Sequence, residues 1–398
     1  MNRLAWIAFA LLAASAVRAQ IAPAPPPPRV PIGYVEIADD PRHEPIGAYG
    51  RYLLKTREPP YVGAQAGIEE AKPLARAMNA DHQLERMTAK NAADMAAAIV
   101  NANDAGVSFF LIDAPAEAFR SIAAATKGRD LLLFNIGANE DWLRRELCAP
   151  QIVHVAPSRA QLMDALNEFL VSKKWRDVLA LQGPTPEDAE VTEAFAHSAK
   201  KFGARIVATQ KFTPGADPRE REKNNPALLS AINRDWDVTF VADSDFDFAR
   251  EVPYRTVKPR PVIGAIDLEP VAWHWTWDRN GAPQVNTRVS KLAGGRHMES
   301  ADWAAWMAVK MITQAALRTK GGDFHAKRDF ILGAGGFDGA KGVALSVRPW
   351  DHQLRQAILL AAPFQVVANA PIEGFLHQRD TLDTLGDDEP ETPCHLNR

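Results

Sequence analysis

Short apolar runs recur along this chain, and each is followed by a segment whose apolar residues fall at helical spacing. That alternation limits the possible folds more than any other feature. The runs VSFFLI at 107–112 and LLLFN at 131–135 show no polar alternation, which is how strands read when both faces of a parallel sheet are covered. Residues 31–37, PIGYVEI, form an expected first strand. Helices are expected over 67–78, over 92–103 and over 115–126, where Pro115 suits a first turn. The second half repeats the plan. Ser158 caps a helix carrying Leu162, Met163, Leu166, Phe169 and Leu170, and strands follow at 177–182, 205–209, 237–242 and 261–266. Further helices run through Val191, Phe195 and Phe202 and over 226–232. The expected class is therefore α/β, with two doubly wound lobes. Residues 299–318 read as a long apolar helix, 332–339 as turn-rich, and 342–347 and 357–367 as strand-like; periodicity alone assigns these to neither lobe.

Composition narrows the class of partner. With 398 residues, 46% apolar and 24% charged, the chain has enough core for two compact units. Its 46 Lys plus Arg against 49 Asp plus Glu give a net charge of −3, so no overall positive field exists to gather nucleic acid. The start has the layout of a cleaved secretory signal over 1–19. Arg3 is the basic residue, an apolar stretch runs over 4–17, and Val17-Arg18-Ala19 is a small-x-small cleavage site before Gln20. The apolar stretch falls short of the about 20 residues a membrane anchor needs, so a free periplasmic protein with no membrane insertion is expected. Residues 20–31 follow as a proline-rich linker and 371–398 as an acidic C-terminal tail. Two cysteines permit one pairing in an oxidising compartment, Cys148 with Cys394, with two free thiols as the alternative.

Familiar enzyme signatures are absent from the sequence. The 333–339 stretch GAGGFDG does not run from a strand into a helix, as a phosphate cradle must. The 243–247 stretch DSDFD resembles the start of a calcium loop, but Phe248 stands where glycine is needed and Tyr254 where glutamate is needed. No catalytic residues, metal ligands or catalytic cofactor are expected. Two other features point to binding. Three of ten tryptophans, Trp273, Trp275 and Trp277, alternate within five residues, and an extended segment would point all three to one side as a wall for a planar ring system. Residues 38–60 make a connection far longer than the usual about 2–6 residues, and they carry Arg42, His43, Arg51, Lys55 and Arg57. Loops leaving the carboxyl ends of parallel strands line the ligand crevice, where arginine grips carboxylates.

The leader, the strand-helix units, the loop Asn135-Ile-Gly-Ala-Asn139, Ser158 opening a helix and the 333–342 turn together resemble type I periplasmic solute-binding proteins of the branched-chain amino acid class. Trp273 to Trp277, His154-Val-Ala-Pro-Ser158 and Asp243 to Asp247 are similar to a subgroup associated with pyrroloquinoline quinone (PQQ) and quinoprotein alcohol dehydrogenases. The resemblance implies two lobes with parallel sheets joined by three crossovers: 32–148 plus 270–332, and 149–269 plus 333–370. It also implies a ligand clamped between them and delivery to an ABC transporter permease. Gly137-Ala138-Asn139 stands where amino-acid binders of the class carry small hydroxyl residues, which argues against an α-amino acid. The expected ligand is PQQ, a planar tricarboxylate. Trp275, Trp277 and Trp273 would border its rings, Arg57, Arg51 and Arg42 would pair its carboxylates, and Asn135, Asn139 and Asp113 would add polar contacts. Another small anion or amino acid, or a role as a non-catalytic accessory protein of a PQQ-dependent alcohol dehydrogenase, stands as the alternative.

Overall fold

The structure is a computed structural model that describes residues 29–44, 57–77, 80–215, 217–333 and 335–396. The expected signal segment and most of the proline-rich linker lie outside these residues, as do Arg51 and Lys55. The first lobe is built on strands β1 (Arg29–Ile37), β2 (Asp81–Ala89), β3 (Phe109–Asp113), β4 (Leu132–Asn135) and β5 (Ile152–His154), all parallel in the order β2-β1-β3-β4-β5. The last three residues of the expected linker thus belong to β1. Alternate residues of the central strands feed two cores. Ile32, Tyr34, Leu111 and Phe134 face one and Val35, Phe110, Ile112 and Leu133 the other, which is why these runs carry no polar alternation.

Helix α1 (Tyr61–Ala77) lies on the first face, while α2 (Ala92–Asp104) and α3 (Ala118–Ala125) cover the second. The second lobe holds α4 (Arg159–Ser172), β6 (Asp177–Gln182), α5 (Pro186–Phe202), β7 (Arg205–Lys211), two single-turn helices α6 (Arg221–Asn224) and α7 (Pro226–Leu229), β8 (Val238–Ala242) and β9 (Val262–Gly264). Its sheet is again parallel, in the order β7-β6-β8-β9. Ser158 caps α4 through a reciprocal pair with Gln161.

The chain then returns through β10 (Glu269–Val271) to α8 (Ala282–Leu292) and α9 (Ser300–Arg318), which join α1 on the first lobe. Helices α1 and α9 touch backbone to backbone at Gly63, where a Cβ would lie 2.1 Å from the Asp302 carbonyl oxygen. After α10 (Phe324–Leu332) come the short antiparallel strands β11 (Phe337–Asp338), β12 (Ala344–Val347) and β13 (Leu354–Arg355), then β14 (Ile358–Ala362) and β15 (Gln365–Ala370). Strands β10, β14 and β15 form an antiparallel sheet that joins the lobes: Leu359 enters the first-lobe core, Ile358 and Leu360 the second.

Several expected boundaries move. Strand β5, beyond the expected end of the first lobe at 148, pairs with β4. Phe337, Leu345, Val347 and Leu354, expected in the second lobe, pack in the first-lobe core. The run 357–367 is not one strand but a hairpin that turns at Pro363-Phe364. The expected tail is a fixed strap. Arg348 and Arg355 grip Asp383, Lys201 reaches the carbonyls of Thr384 and Gly386, and Cys394 is bonded to Cys148 across 246 residues of sequence. Among the described residues no helix is long and apolar enough to cross a membrane.

Candidate functional site

Residues 38–44, after β1, gather at the carboxyl end of β3, and Arg57 reaches from the first lobe across a cleft to the segment after β8. Asp113, the last residue of β3, is 1% exposed and accepts three hydrogen bonds: from Tyr34 Oη at 2.9 Å, His43 Nε2 at 2.8 Å and Arg42 Nη2 at 3.0 Å. Arg42 also clasps Asp40. Burial opposes the Asp113 charge, but the His43 hydrogen bond and the charges of Arg42 and His43 outweigh it and hold the carboxyl below its ordinary pKa. Burial followed by the Asp113 charge pushes the Tyr34 phenol up.

His43 links this cluster to the opposite side. Its Nδ1 lies 2.9 Å from the Arg57 carbonyl oxygen, and Arg57 has a left-handed backbone at φ 51°. The Arg57 guanidinium crosses the cleft to the Ser244 carbonyl oxygen, 2.6 Å from Nη2, and sits 6.0 Å over the Phe246 ring. Both partners follow β8 in the second lobe.

Beside Arg57 is a cavity of about 390 Å³, bounded by Phe246, Trp275, His297, Glu299 and Phe364 among others. It lies where both lobes meet the joining sheet. Trp275 stacks on His297 with ring centroids 4.1 Å apart and planes 9° from parallel, so one rigid aromatic slab forms part of the wall. Phe364, at the β14–β15 turn, is 75% exposed at the rim.

The three tryptophans do not form a common wall. The segment turns, with the Trp277 amide bonding the His274 carbonyl, so the rings diverge. Trp273 is buried, stacks on Trp303 at 6.5 Å and donates to Asn286 Oδ1, and it lines the cavity from within the core. Trp277 points into the first-lobe core and donates to the Ala340 carbonyl. Trp275, half-buried, lines the cavity with Trp273, and Trp277 does not.

The polar residues also divide. Asn135 is fully buried and folds its own turn, accepting from the Ala138 amide at 2.9 Å and donating to the Ala138 carbonyl at 2.8 Å. Asn139 donates to the Pro157 carbonyl, which fastens the first crossover. Arg42 and Asp113 are bound to each other instead of facing the aromatic cavity, and Arg51 lies outside the described residues. The structure therefore brings together Arg57, Trp275 and Trp273. Phe246, His297 and Phe364 were missed. Applying the crevice rule to the loop after β8 as well as to the loop after β1 would have found Phe246.

The fold is that of type I periplasmic binding proteins. A branched-chain amino acid ABC transporter periplasmic ligand-binding protein from Burkholderia xenovorans LB400 superposes with a TM-score of 0.70 at 12% identity, covering 93% of this chain and 100% of its own. A branched-chain amino acid transporter substrate-binding protein from Streptococcus pneumoniae, in complex with isoleucine, gives 0.60 at 14% identity over 85% and 98% of the two chains. An ABC transporter solute-binding protein from Rhodopseudomonas palustris BisB5, in complex with 3,4-dihydroxybenzoic acid, gives 0.60 at 13% identity over 84% and 93%. No family model matches the sequence, and no curated protein does.

Proposed function

We propose that this chain is a periplasmic solute-binding protein that captures a planar aromatic carboxylate between its lobes and hands it to an ABC transporter permease, without chemistry of its own. The observation that carries this reading is the cavity of about 390 Å³ in which Arg57 and the Trp275–His297 slab face the same space. An aromatic acid needs those two things: a flat apolar surface and a bidentate cation. The closing of two lobes on a ligand would desolvate both. Neighbours of the same fold hold isoleucine and 3,4-dihydroxybenzoic acid, so the architecture accommodates small carboxylates with and without a ring.

PQQ fits this reading as a planar tricarboxylate, and on that basis a quinoprotein dehydrogenase would be the eventual user of the cargo. An aromatic monocarboxylate is the second reading. It is favoured because Arg57 is the single arginine among the described lining residues, beside Glu269 and Glu299. Titrations of PQQ and of 3,4-dihydroxybenzoate into the chain lacking residues 1–19, followed by tryptophan fluorescence and calorimetry, separate the two. One-to-one binding of PQQ at micromolar or tighter Kd, about −8 kcal/mol, that weakens in Trp275→Ala supports the first. Binding of the benzoate alone supports the second. Binding of neither moves the function to a protein partner, such as the dehydrogenase itself.

A further inference from the structure

His43 stands between two hydrogen-bond acceptors. Its Nε2 is 2.8 Å from Asp113 Oδ2 and its Nδ1 is 2.9 Å from the Arg57 carbonyl oxygen. A carbonyl oxygen can only accept, and Asp113 is a carboxylate that also accepts from Tyr34 and Arg42. A neutral imidazole carries one N–H and would leave one of these contacts as two facing lone pairs. The geometry therefore calls for the imidazolium, whose two N–H groups satisfy both.

What the second N–H holds is the backbone of Arg57, the residue whose guanidinium spans the cleft to Ser244 and borders the aromatic cavity. We propose that His43, as an imidazolium bridging Asp113 to the Arg57 carbonyl, positions the Arg57 guanidinium in the cleft, so that loss of its proton loosens Arg57 and weakens capture of an anion. The ligand half of this statement rests on the function proposed above; the bridge itself does not.

The groups facing His43 agree with that assignment. Asp113 faces it from β3, with Tyr34 of β1 behind. Asp40 and Arg42 flank it from its own segment, and the Arg57 backbone closes the other side. Burial and the Arg42 charge act against the imidazolium, but the hydrogen bond and charge of Asp113, with the Arg57 carbonyl, prevail and hold the His43 pKa above its ordinary value. The bridge is therefore complete below the ordinary histidine value and opens only as pH rises through the raised folded value.

The test is a pH titration of the full mature chain labelled with 15N at histidine and arginine. His43 is assigned by His43→Gln and the Arg57 Nε–H signal by Arg57→Lys. Both His43 nitrogens protonated at pH 7, with an Arg57 signal that moves at the same midpoint and becomes independent of pH in His43→Gln, bears the proposal out. A single N–H on His43 at pH 7, or an Arg57 signal indifferent to its titration, overturns it. If His43→Gln fails to fold by circular dichroism, the wild-type coincidence of midpoints decides. PQQ affinity by tryptophan quenching should fall at least tenfold between pH 6 and pH 9. An affinity that does not change over that range overturns the positioning role. No PQQ binding at either pH removes PQQ as the ligand and moves the pH series to 3,4-dihydroxybenzoate; binding of neither overturns the function proposed above and leaves the bridge to be decided by the nitrogen signals.

Discussion

Arginine sits on a buried aspartate both under the C-terminal strap and at the cleft. Under the strap, Arg348 and Asp383 are 1% and 3% exposed, and Arg348 also donates to the carbonyls of Leu382, Leu385 and Asp387. At the cleft Asp113 is just as buried, but Arg42 is 31% exposed and His43 17%. In the first case both partners are closed into the fold, so the pair fixes structure. In the second the carboxylate is an anchor and its cations open toward the space between the lobes. The same pairing of residue types is thus a fastener in one place and a mount in the other.

The largest expected effects separate them directly. Arg348→Ala would leave Asp383 with Arg355 but strand the strap carbonyls that Arg348 satisfies and empty a buried site, at a cost of about 2–4 kcal/mol of stability. Arg42→Ala leaves Asp113 with Tyr34 and His43 and removes a partly exposed cation, so about 1 kcal/mol is expected. Urea unfolding midpoints of the two variants measure the contrast, and equal losses would erase it. The tryptophans repeat it. Trp273→Ala empties a buried stack on Trp303 and should cost about 3–5 kcal/mol, whereas Trp275→Ala should cost roughly 1 kcal/mol and act on ligand affinity instead.

Acid and base should tell the regions apart as well. Glu168 of α4 accepts from the Ile372 amide at the start of the strap, and burial pushes its pKa up to about 8. A carboxyl raised in the folded state favours folding fully below its unfolded value of about 4.5 and loses that contribution as pH rises toward 8. Asp113 has the opposite sign: its lowered pKa supports the fold above the ordinary carboxyl range and fails as pH falls through it. Thermal melts of Glu168→Gln should therefore show a flatter decline from pH 5 to 8 than wild type. A tenfold difference in proton affinity between the folded and unfolded chain corresponds to about 1.4 kcal/mol, so the contrast should be measurable in Tm. An unchanged slope would remove Glu168 from the account.

How much of this was legible in the sequence depends on how locally each feature is determined. Strand β6 has the ends the sequence predicts, because VLAL is buried on both sheet faces and bounded by polar residues. Strand β2 was not seen. Its DHQLERMTA is an edge strand in which only Ala89 is buried, so no apolar run marks it, and its place comes from pairing with β1 along its whole length. The tryptophan trio failed for the converse reason. Period two predicts a common face only in extended backbone, and the turn at 274–277 depends on contacts with Ser300 and Asn286, which no local pattern encodes. Arg57 was legible as a crevice cation by the loop rule, but its link through His43 to Asp113 joins positions 70 residues apart.

The smallest effect on stability belongs to Phe364. Three-quarters exposed at the β14–β15 turn, it contributes little to either core, so Phe364→Ala should change the unfolding free energy by no more than about 0.5 kcal/mol. Its place at the rim of the cavity gives it another use. A planar ligand lying on the Trp275–His297 slab would leave one face to solvent unless a second ring covers it, and Phe364 stands on the sheet that joins the lobes, where closure would carry it. A ring pair of that kind is worth about 0.5–1.5 kcal/mol beyond its area, so Phe364→Ala should weaken binding of an aromatic ligand severalfold while binding of acetate, which has no ring, stays as it was. A variant that loses stability but not affinity would place Phe364 with the fasteners and shrink the mount to Arg57, Trp275 and His297.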